Sequence, residues 1–374
     1  MRKLELIAPC HFGLEAVLKR EIIDLGYEIS SVEDGRVSFY GDEDAICRAN
    51  IFLRTAERVL LKVGSFTAVT FEELFDKTKA LPWEEYIPKN GKFWVAKAAS
   101  VKSRLFSPSD IQSIMKKAMV RRLQERYHVE WFPEDGPSYP VRVFLMKDIV
   151  TVGIDTSGIS LHKRGYREVS GKAPITETLA AALVKLSRPR EEVLLRDPFC
   201  GSGTIAVEGA MMMKNIAPGL NRTFCSEDFP QFPAELWSRA REAARDAVIT
   251  DSAFRAAASD IDGECIEIAK AAARRAGVAD SIDFFVADAL KLETGGVRGT
   301  VVTNPPYGER LMRGEAEELY RNMGRSWQNL DRWQIYVLTS HPDFQRLYGR
   351  RADKVRKLYN GMIPCNYYQF FKNK

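Results

Sequence analysis

Four short polar motifs in the second half of the chain constrain its fold most strongly, because each directly follows a short apolar segment of strand-like composition. These segments are residues 193–195, 254–258, 282–286 and 300–303, and stretches with helical apolar spacing alternate with them. Such alternation predicts an α/β domain with a mostly parallel, doubly wound sheet. Because ligands bind beyond the carboxyl ends of the strands in such sheets, we expect the four motifs to meet at one binding edge.

The first motif, Asp-Pro-Phe-Cys-Gly-Ser-Gly-Thr, occupies residues 197–204 and directly precedes a predicted helix. Its glycines, Gly201 and Gly203, permit a tight turn and a close approach of the backbone to a ligand. The motif lacks the Gly-Lys-Ser/Thr ending of a phosphate-binding loop and the third glycine of a dinucleotide-binding turn. It therefore predicts a ligand-binding turn of another kind, with Asp197 at the strand end.

Aspartates follow the second and third apolar segments. The carboxylate of Asp260 can accept hydrogen bonds from two ribose hydroxyls, as the acidic residue of dinucleotide sites does. The nearby Asp262 is predicted instead to cap the helix that follows it. Asp288 can accept a hydrogen bond from the amino group of adenine, and an ordinary turn aspartate is the alternative at this position.

The fourth motif, Asn-Pro-Pro-Tyr-Gly, begins at Asn304. Pro305 and Pro306 cannot continue a strand ladder and fix the backbone. The Asn304 side-chain oxygen and the Pro305 carbonyl could then accept both hydrogens of one amino group, while Tyr307 offers a ring for a planar base to stack on. These residue types suit methylation of an exocyclic amine, a reaction that needs no strong general base.

The first half of the chain predicts two smaller α+β units. Residues 1–64 show a strand–helix–strand–strand–helix–strand order that suggests a ferredoxin-like split βαβ unit. Residues 65–160 predict a second unit with a long helix at 109–126 and a hairpin that turns at residues 147–148. A third domain is expected over residues 161–374, and residues 158–171 are expected to form the hinge or linker before it.

The net charge of +5 conceals an uneven distribution of charge along the chain. Residues 1–64 hold nine basic and eleven acidic residues, whereas residues 92–126 hold nine Lys and Arg against two acids, and residues 340–374 hold eight against two. The first basic stretch is either a solvated helix face or a surface that binds phosphates. On the second interpretation, the expected phosphate contacts are Lys116, Lys117, Arg121 and Arg122.

Composition excludes several other classes of protein. Hydrophobic residues make up 45% and charged residues 28%, values typical of a globular protein. The six cysteines form no Cys-x-x-Cys pair, so we expect neither a disulfide framework nor a metal site. The first residues predict a strand rather than a signal peptide, and the sequence has no long uncharged apolar run. We therefore expect a soluble cytoplasmic protein.

The first and fourth motifs together resemble those of S-adenosylmethionine-dependent amino-methyltransferases. Residues 161–167, 172–179 and 304–310 narrow the resemblance to the THUMP-domain RNA guanine-N2 methyltransferases, particularly the bacterial 23S ribosomal RNA type. The resemblance covers essentially the whole chain. It implies a ferredoxin-like domain, a THUMP RNA-binding domain and a Rossmann-like methyltransferase domain, with S-adenosylmethionine as cofactor and RNA as partner.

The resemblance also implies roles for individual residues. Asp197, Gly201 and Gly203 would line the methionine end of the cofactor, and the segment 173–177 would cover it. The target guanine would be held by Asn304 with its neighbours Pro305, Pro306 and Tyr307. The complete set of expected cofactor-binding residues is Thr176, Asp197, Pro198, Phe199, Cys200, Gly201, Ser202, Gly203, Thr204, Asp260, Ile261, Asp288 and Ala289.

Alternatives remain at this point. The same motifs fit a tRNA guanine-N2 methyltransferase or an adenine-N6 methyltransferase acting on DNA or RNA. A non-catalytic RNA-binding protein is less consistent with an intact fourth motif and intact Asp260 and Asp288. The sequence leaves open which nucleotide is modified, whether the substrate is naked RNA or a ribosomal precursor, and the oligomeric state.

Overall fold

The computed structural model describes residues 3–167, 175–306, 313–328, 330 and 332–371. Within them the chain forms two seven-stranded sheets. The elements of the first half are β1 (Leu4–Pro9), α1 (Glu15–Asp24), β2 (Glu28–Glu33), β3 (Arg36–Gly41), α2 (Glu43–Phe52), β4 (Leu60–Thr67), α3 (Phe71–Ala80), β5 (Lys92–Val101), α4 (Pro108–Tyr127), β6 (Ser138–Met146) and β7 (Ile149–Asp155).

The first sheet has the strand order β2-β3-β1-β4-β7-β6-β5. Its first four strands are antiparallel and, with α1 and α2, form the predicted ferredoxin-like unit. Strand β4 pairs with β1 through Leu60 and Leu61, and then with β7 along its length as far as Thr67. One continuous sheet therefore runs through both small units, and the predicted boundary after residue 64 lies within β4.

Helix α4 covers this sheet next to its parallel β5–β6 pair. The Ser107 hydroxyl caps its first turn, Pro108 occupies the first position, and His128 ends it in a left-handed conformation. Ile111, Met115 and further apolar residues at helical spacing are buried on one face. The basic residues predicted to contact phosphates occupy the remaining faces of this helix.

The second half contains α5 (Glu177–Ser187), β8 (Leu194–Asp197), α6 (Thr204–Met213), α7 (Ala234–Asp246), β9 (Ala256–Asp260), α8 (Gly263–Arg275), β10 (Ile282–Val286), β11 (Gly299–Thr303), α9 (Arg313–Trp327), β12 (Gln334–Thr339), α10 (Phe344–Tyr348), β13 (Lys354–Asn360) and β14 (Ile363–Phe370). The strand order is β10-β9-β8-β11-β12-β14-β13. Strands β8 to β12 are parallel, and β13 and β14 are antiparallel additions at one edge. The predicted Rossmann-like α/β domain is confirmed. No helix among the described residues combines the length and apolarity needed to cross a membrane.

The linker before α5 is anchored by buried polar contacts as far as Arg167, the last described residue before 175. Arg164 Nε lies 3.4 Å from Glu208 Oε1 on α6, and its other nitrogens donate to the carbonyl oxygens of Leu161 and Arg54. Tyr166 also donates to Glu208 Oε1, at 3.0 Å. The Arg164 and Glu208 side chains are 2% and 0% exposed. The described part of this predicted hinge therefore ties the amino-terminal half to the second sheet.

Candidate active site

The four predicted motifs meet at the carboxyl edge of the second sheet, where neighbouring strand ends contact one another. The Gly201 amide donates to Asp260 Oδ2 at 2.9 Å, which joins the turn after β8 to the end of β9. The Ala287 amide donates to the Asp260 carbonyl at 3.0 Å. Thr303 Oγ1 donates to Asp197 Oδ1 at 2.7 Å and joins β11 to β8. The strand order reverses at β8, the position at which open α/β sheets bind ligands.

The two glycines of the first motif have different surroundings. Gly201 has a φ of +50°, and no described atom lies within 4 Å of the position that a Cβ would occupy. Gly203 has a φ of +76°, but there a Cβ would lie 2.8 Å from the Cβ of Ala269 on α8. Gly201 therefore leaves open space beside the turn, whereas Gly203 permits close packing of the turn against α8.

The other residues of the first motif support this turn. Pro198 and Cys200 are buried, and the Cys200 amide donates to the Ser259 carbonyl at 2.9 Å. Ser202 Oγ lies 3.2 Å from Thr204 Oγ1. Phe199 is half-buried, with its ring 6.4 Å from that of Trp327.

Asp197 is 1% exposed and connects two strands. Its Oδ1 accepts hydrogen bonds from Thr303 Oγ1 and, at 3.3 Å, from the Phe199 amide. Burial raises the pKa of this carboxyl to about 7, although both hydrogen bonds act in the opposite direction. Since Thr303 directly precedes Asn304, Asp197 fixes the start of the fourth motif relative to the first.

The raised pKa predicts a pH-dependent contribution of Asp197 to stability. Between pH 4 and 7 the unfolded chain has lost this proton and the folded chain has kept it, so the contribution falls as pH rises and levels off above about pH 7. We therefore expect the difference in free energy of unfolding, Asp197→Asn minus wild type, to rise with pH between pH 4 and 7. The slope of this rise should approach about 1.4 kcal/mol per pH unit. Urea titrations of both proteins at several pH values measure the difference, and a difference independent of pH would contradict the assignment.

Asp260 and Asp262 take the separate positions predicted from the sequence. Asp260 Oδ2 accepts from the Gly201 amide and Oδ1 from the Asp262 amide, at 2.9 and 3.1 Å. Asp262 Oδ1 accepts from the Glu264 amide at 2.9 Å and caps α8, so its predicted capping role is confirmed. Ile261, between them, is 76% exposed.

Asp288 combines a turn contact with an unused acceptor. Its Oδ1 accepts from the Leu290 amide at 2.9 Å, and no described residue donates to Oδ2. Ala289 is buried, and its carbonyl accepts from Trp327 Nε1 at 2.9 Å, which fixes this turn to α9. The turn interaction considered for Asp288 is therefore present, and one carboxylate oxygen remains available.

Asn304 is 7% exposed, and no described residue donates a hydrogen bond to its buried Oδ1. A buried acceptor without a partner costs about 1–3 kcal/mol, and Asn304 Oδ1 is therefore an acceptor that none of the described residues uses. The following Pro305 is buried, and the Pro306 carbonyl accepts from Tyr320 Oη at 3.2 Å. Tyr307, the fourth predicted residue of this motif, lies outside the described residues.

Four residues that sequence reasoning missed support this motif: Thr303, Tyr320, Thr339 and His341. Tyr320 Oη lies 3.0 Å from Thr339 Oγ1, at the end of β12. His341 accepts at Nδ1 from the Asp343 amide, and its buried Nε2 has no hydrogen-bond partner among the described residues, 3.9 Å from Glu317 Oε1. A Ser-His pair after an apolar run repeats the strand-end pattern of the other motifs, and this signal could have identified His341.

Thr176 lies at the start of α5, and its Oγ1 is 3.4 Å from His11 Nε2 of the amino-terminal half. Arg167 donates to Glu177 Oε2 at 3.0 Å and to Thr204 Oγ1 at 3.2 Å, so it holds the start of α5 against the start of α6. Residues 173 and 174 of the segment expected to cover the cofactor lie outside the described residues.

The four predicted phosphate contacts on α4 divide into two pairs. The Lys116 ammonium lies 3.7 Å from the centroid of the Phe93 ring and donates to the Phe93 carbonyl, and burial lowers its pKa. Arg122 forms two hydrogen bonds with Glu84, at 2.7 and 2.9 Å. Lys117 and Arg121 are exposed one helical turn apart, without an ion pair to any described residue. This second pair is therefore the one available to bind phosphates.

Comparison with protein families matches three parts of the chain. The RlmL ferredoxin-like domain matches residues 5–60, the THUMP domain matches residues 68–155, and the RMKL-like methyltransferase domain matches residues 164–369.

Individual relatives span the whole chain. The Bacillus subtilis protein named "Putative RNA methyltransferase YpsC" is 48% identical over 99% of this chain and 97% of its own. A structure described as "a predicted N6-adenine-specific DNA methylase from Listeria monocytogenes" is 46% identical, with a TM-score of 0.92 over 100% of this chain and 97% of that one. Another, described as "SMU.472, a putative methyltransferase complexed with SAH", is 41% identical, with a TM-score of 0.93 over 100% and 99%.

Proposed function

Because this chain belongs to the RMKL-like methyltransferase family and is an S-adenosylmethionine-dependent RNA methyltransferase with a THUMP domain, we propose that it methylates N2 of a guanine in 23S ribosomal RNA. The main support for an amino group as the methyl acceptor is Asn304 Oδ1. This oxygen is buried, and no described residue donates a hydrogen bond to it. The choice of guanine N2 and of 23S RNA rests on the resemblance of residues 161–167, 172–179 and 304–310 to that group of enzymes.

The described residues fit the cofactor. S-adenosylmethionine supplies a methyl group made electrophilic by its sulfonium. The open space beside Gly201 would admit the cofactor along the first turn, and Asp260 would accept hydrogen bonds from the ribose hydroxyls. Asp288 Oδ2 would accept from the adenine amino group, and the exposed Ile261 side chain would cover one face of the ring. The turn that follows Asp197 would hold the methionine end.

The fourth motif activates the target amine by orienting it. Asn304 Oδ1 and the Pro305 carbonyl each accept one N–H, which keeps the nitrogen lone pair out of conjugation with the ring and directs it at the methyl group. The two prolines and the Tyr320–Pro306 hydrogen bond hold these acceptors in place before substrate arrives. Positioning and electrostatic preorganisation thus supply most of the acceleration.

The target base must leave its helix or loop to reach this edge. Unstacking a base costs a few kcal/mol, and the cost is lowest where the RNA is single-stranded. A guanine in a loop is therefore the expected substrate. Contacts of Lys117 and Arg121 on α4 with backbone phosphates hold the RNA, since such contacts supply affinity without reading sequence.

We expect Asp260→Ala to weaken S-adenosylhomocysteine binding about 100-fold or more, since charge-assisted hydrogen bonds contribute about 1.5–3 kcal/mol each. Isothermal titration calorimetry on the full chain measures the dissociation constant. Asp283→Ala is the matched control, because this exposed aspartate of the neighbouring strand β10 lies away from the strand end. Equal affinities of wild type and Asp260→Ala would contradict the ribose assignment.

We expect the double variant Lys117→Ala/Arg121→Ala to weaken RNA binding and to reduce the slope of log K against log salt by about 1.4–1.8, because each lost phosphate contact removes about 0.7–0.9 from it. Filter binding at four or more salt concentrations gives the slope. Lys19→Ala/Arg245→Ala removes the same charge from two exposed helix positions elsewhere and serves as control. An unaltered slope would show that Lys117 and Arg121 on α4 do not contact RNA phosphates.

Nucleoside mass spectrometry of 23S RNA, tRNA and DNA from a deletion strain tests the target. Loss of N2-methylguanosine from 23S RNA alone is the expected result, and its loss from tRNA would favour the tRNA alternative. The Listeria relative's description favours adenine N6 as a second candidate. Loss of N6-methyladenine with intact N2-methylguanosine would replace the proposed target by that one.

A further inference from the structure

A second concave site lies at the opposite edge of the second sheet, where the parallel strands begin. This cavity of about 540 Å³ is lined by the starts of β11, β12 and β13 and by the end of α5. Asp197 and Asn304 lie at the other ends of the strands, so the cavity is separate from the candidate active site.

Basic side chains surround this cavity, and none of the described residues that line it is acidic. Lys185 is paired with Glu21 at 3.1 Å. The nearby Asp353 accepts from the Phe371 amide at 2.7 Å and lies 3.6 Å from Arg350. Six lining cations form no ion pair with any described residue: Arg188, Arg190, Arg298, Arg332, Lys354 and Arg356.

Two buried donors in the wall favour an anionic ligand at this site. Gln369 is 4% exposed, and its Nε2 finds no acceptor among the described residues. The Nε of Arg356, on the adjacent strand, is likewise buried without an acceptor. Buried N–H groups without partners are rare because they lose hydration without replacement. A cavity with free donors in its wall and free cations at its rim is therefore complementary to an anion.

We propose that this cavity binds the phosphate of a nucleotide. Guanidinium groups match phosphate oxygens with paired donors, and a multivalent anion stabilises a cluster of like charges that form no ion pairs with the described residues. The rings of Tyr336 and Phe371 line the same cavity and offer apolar surface to a nucleotide base. The phosphate belongs either to the backbone of the bound RNA or to a free nucleotide, and the proposal holds whichever base the enzyme methylates.

The first arm of the test uses inorganic pyrophosphate and isothermal titration calorimetry on the full chain. We expect one saturable site, weakened at least tenfold in Arg298→Ala/Arg356→Ala and in Gln369→Leu. Lys19→Ala/Arg245→Ala again serves as the charge-matched control and should bind like the wild type.

The second arm measures RNA binding by the same variants over a range of salt concentrations. If the phosphate belongs to the RNA, the double variant should bind RNA more weakly, with a slope reduced by about 1.4–1.8. A free nucleotide predicts unchanged RNA binding together with weakened pyrophosphate binding. If these variants bind both pyrophosphate and RNA as tightly as the control does, the proposal is wrong.

Thermal melting separates a lost site from a lost fold. Because unpaired like charges repel, we expect the double variant to melt at or above the wild-type temperature without ligand. If the double variant melts at a lower temperature than the wild type, the binding measurements are repeated with Arg298→Gln alone. This substitution removes one exposed charge and leaves the buried wall of the cavity intact.

Discussion

Asn304→Ala is expected to slow RNA methylation about 100- to 1000-fold while leaving S-adenosylhomocysteine affinity unchanged. The substitution removes one of the two acceptors that orient the amine, and losing one preorganised polar group of an active site has an effect of this size. Single-turnover transfer of a labelled methyl group measures the rate, and calorimetry measures cofactor affinity. Asn322→Ala on α9 is the matched control.

The same variant separates a catalytic role from a structural one. Asn304 Oδ1 is buried without a donor from any described residue, so its removal should not lower the free energy of unfolding and should relieve an unsatisfied group. A fall in stability parallel to the fall in rate would show that Asn304 supports the fold. An unchanged rate with normal cofactor binding would remove it from the reaction.

Arg164→Met is expected to reduce the free energy of unfolding by about 3–5 kcal/mol, because it removes the ion-pair partner of the fully buried Glu208 side chain. The control is Arg20→Met, which breaks an exposed i,i+4 pair with Asp24 and should cost about 0.5 kcal/mol or less. Urea denaturation followed by circular dichroism compares the two.

A double variant tests the physical reason for that loss. Replacing Arg164 and Glu208 together by Met and Leu removes both buried charges and should recover much of the stability. If Arg164→Met is no worse than Arg20→Met, the linker contact does not hold the two halves of the chain together as the burial indicates.

The elements that the sequence predicts share a clear local signal. The β8 to β11 strands are short apolar runs followed by polar turns, and parallel topology brings their carboxyl ends to one edge. Local apolar patterns do not predict α7, α9 or the β12–β14 region. His341 was missed for this reason, since its strand was not predicted.

The fold class and the residue types at each strand end can be predicted from the sequence, because the chemistry and spacing of these motifs are local properties of the chain. How each residue is used depends on its tertiary contacts, and the structure shows these. It buries Asp197 as a link to Thr303, leaves Asn304 Oδ1 without a described donor, and occupies Lys116 and Arg122 within the protein. It also gathers Arg188, Arg298 and Arg356 around one cavity. Burial and charge pairing depend on residues distant in sequence, and no local pattern encodes them.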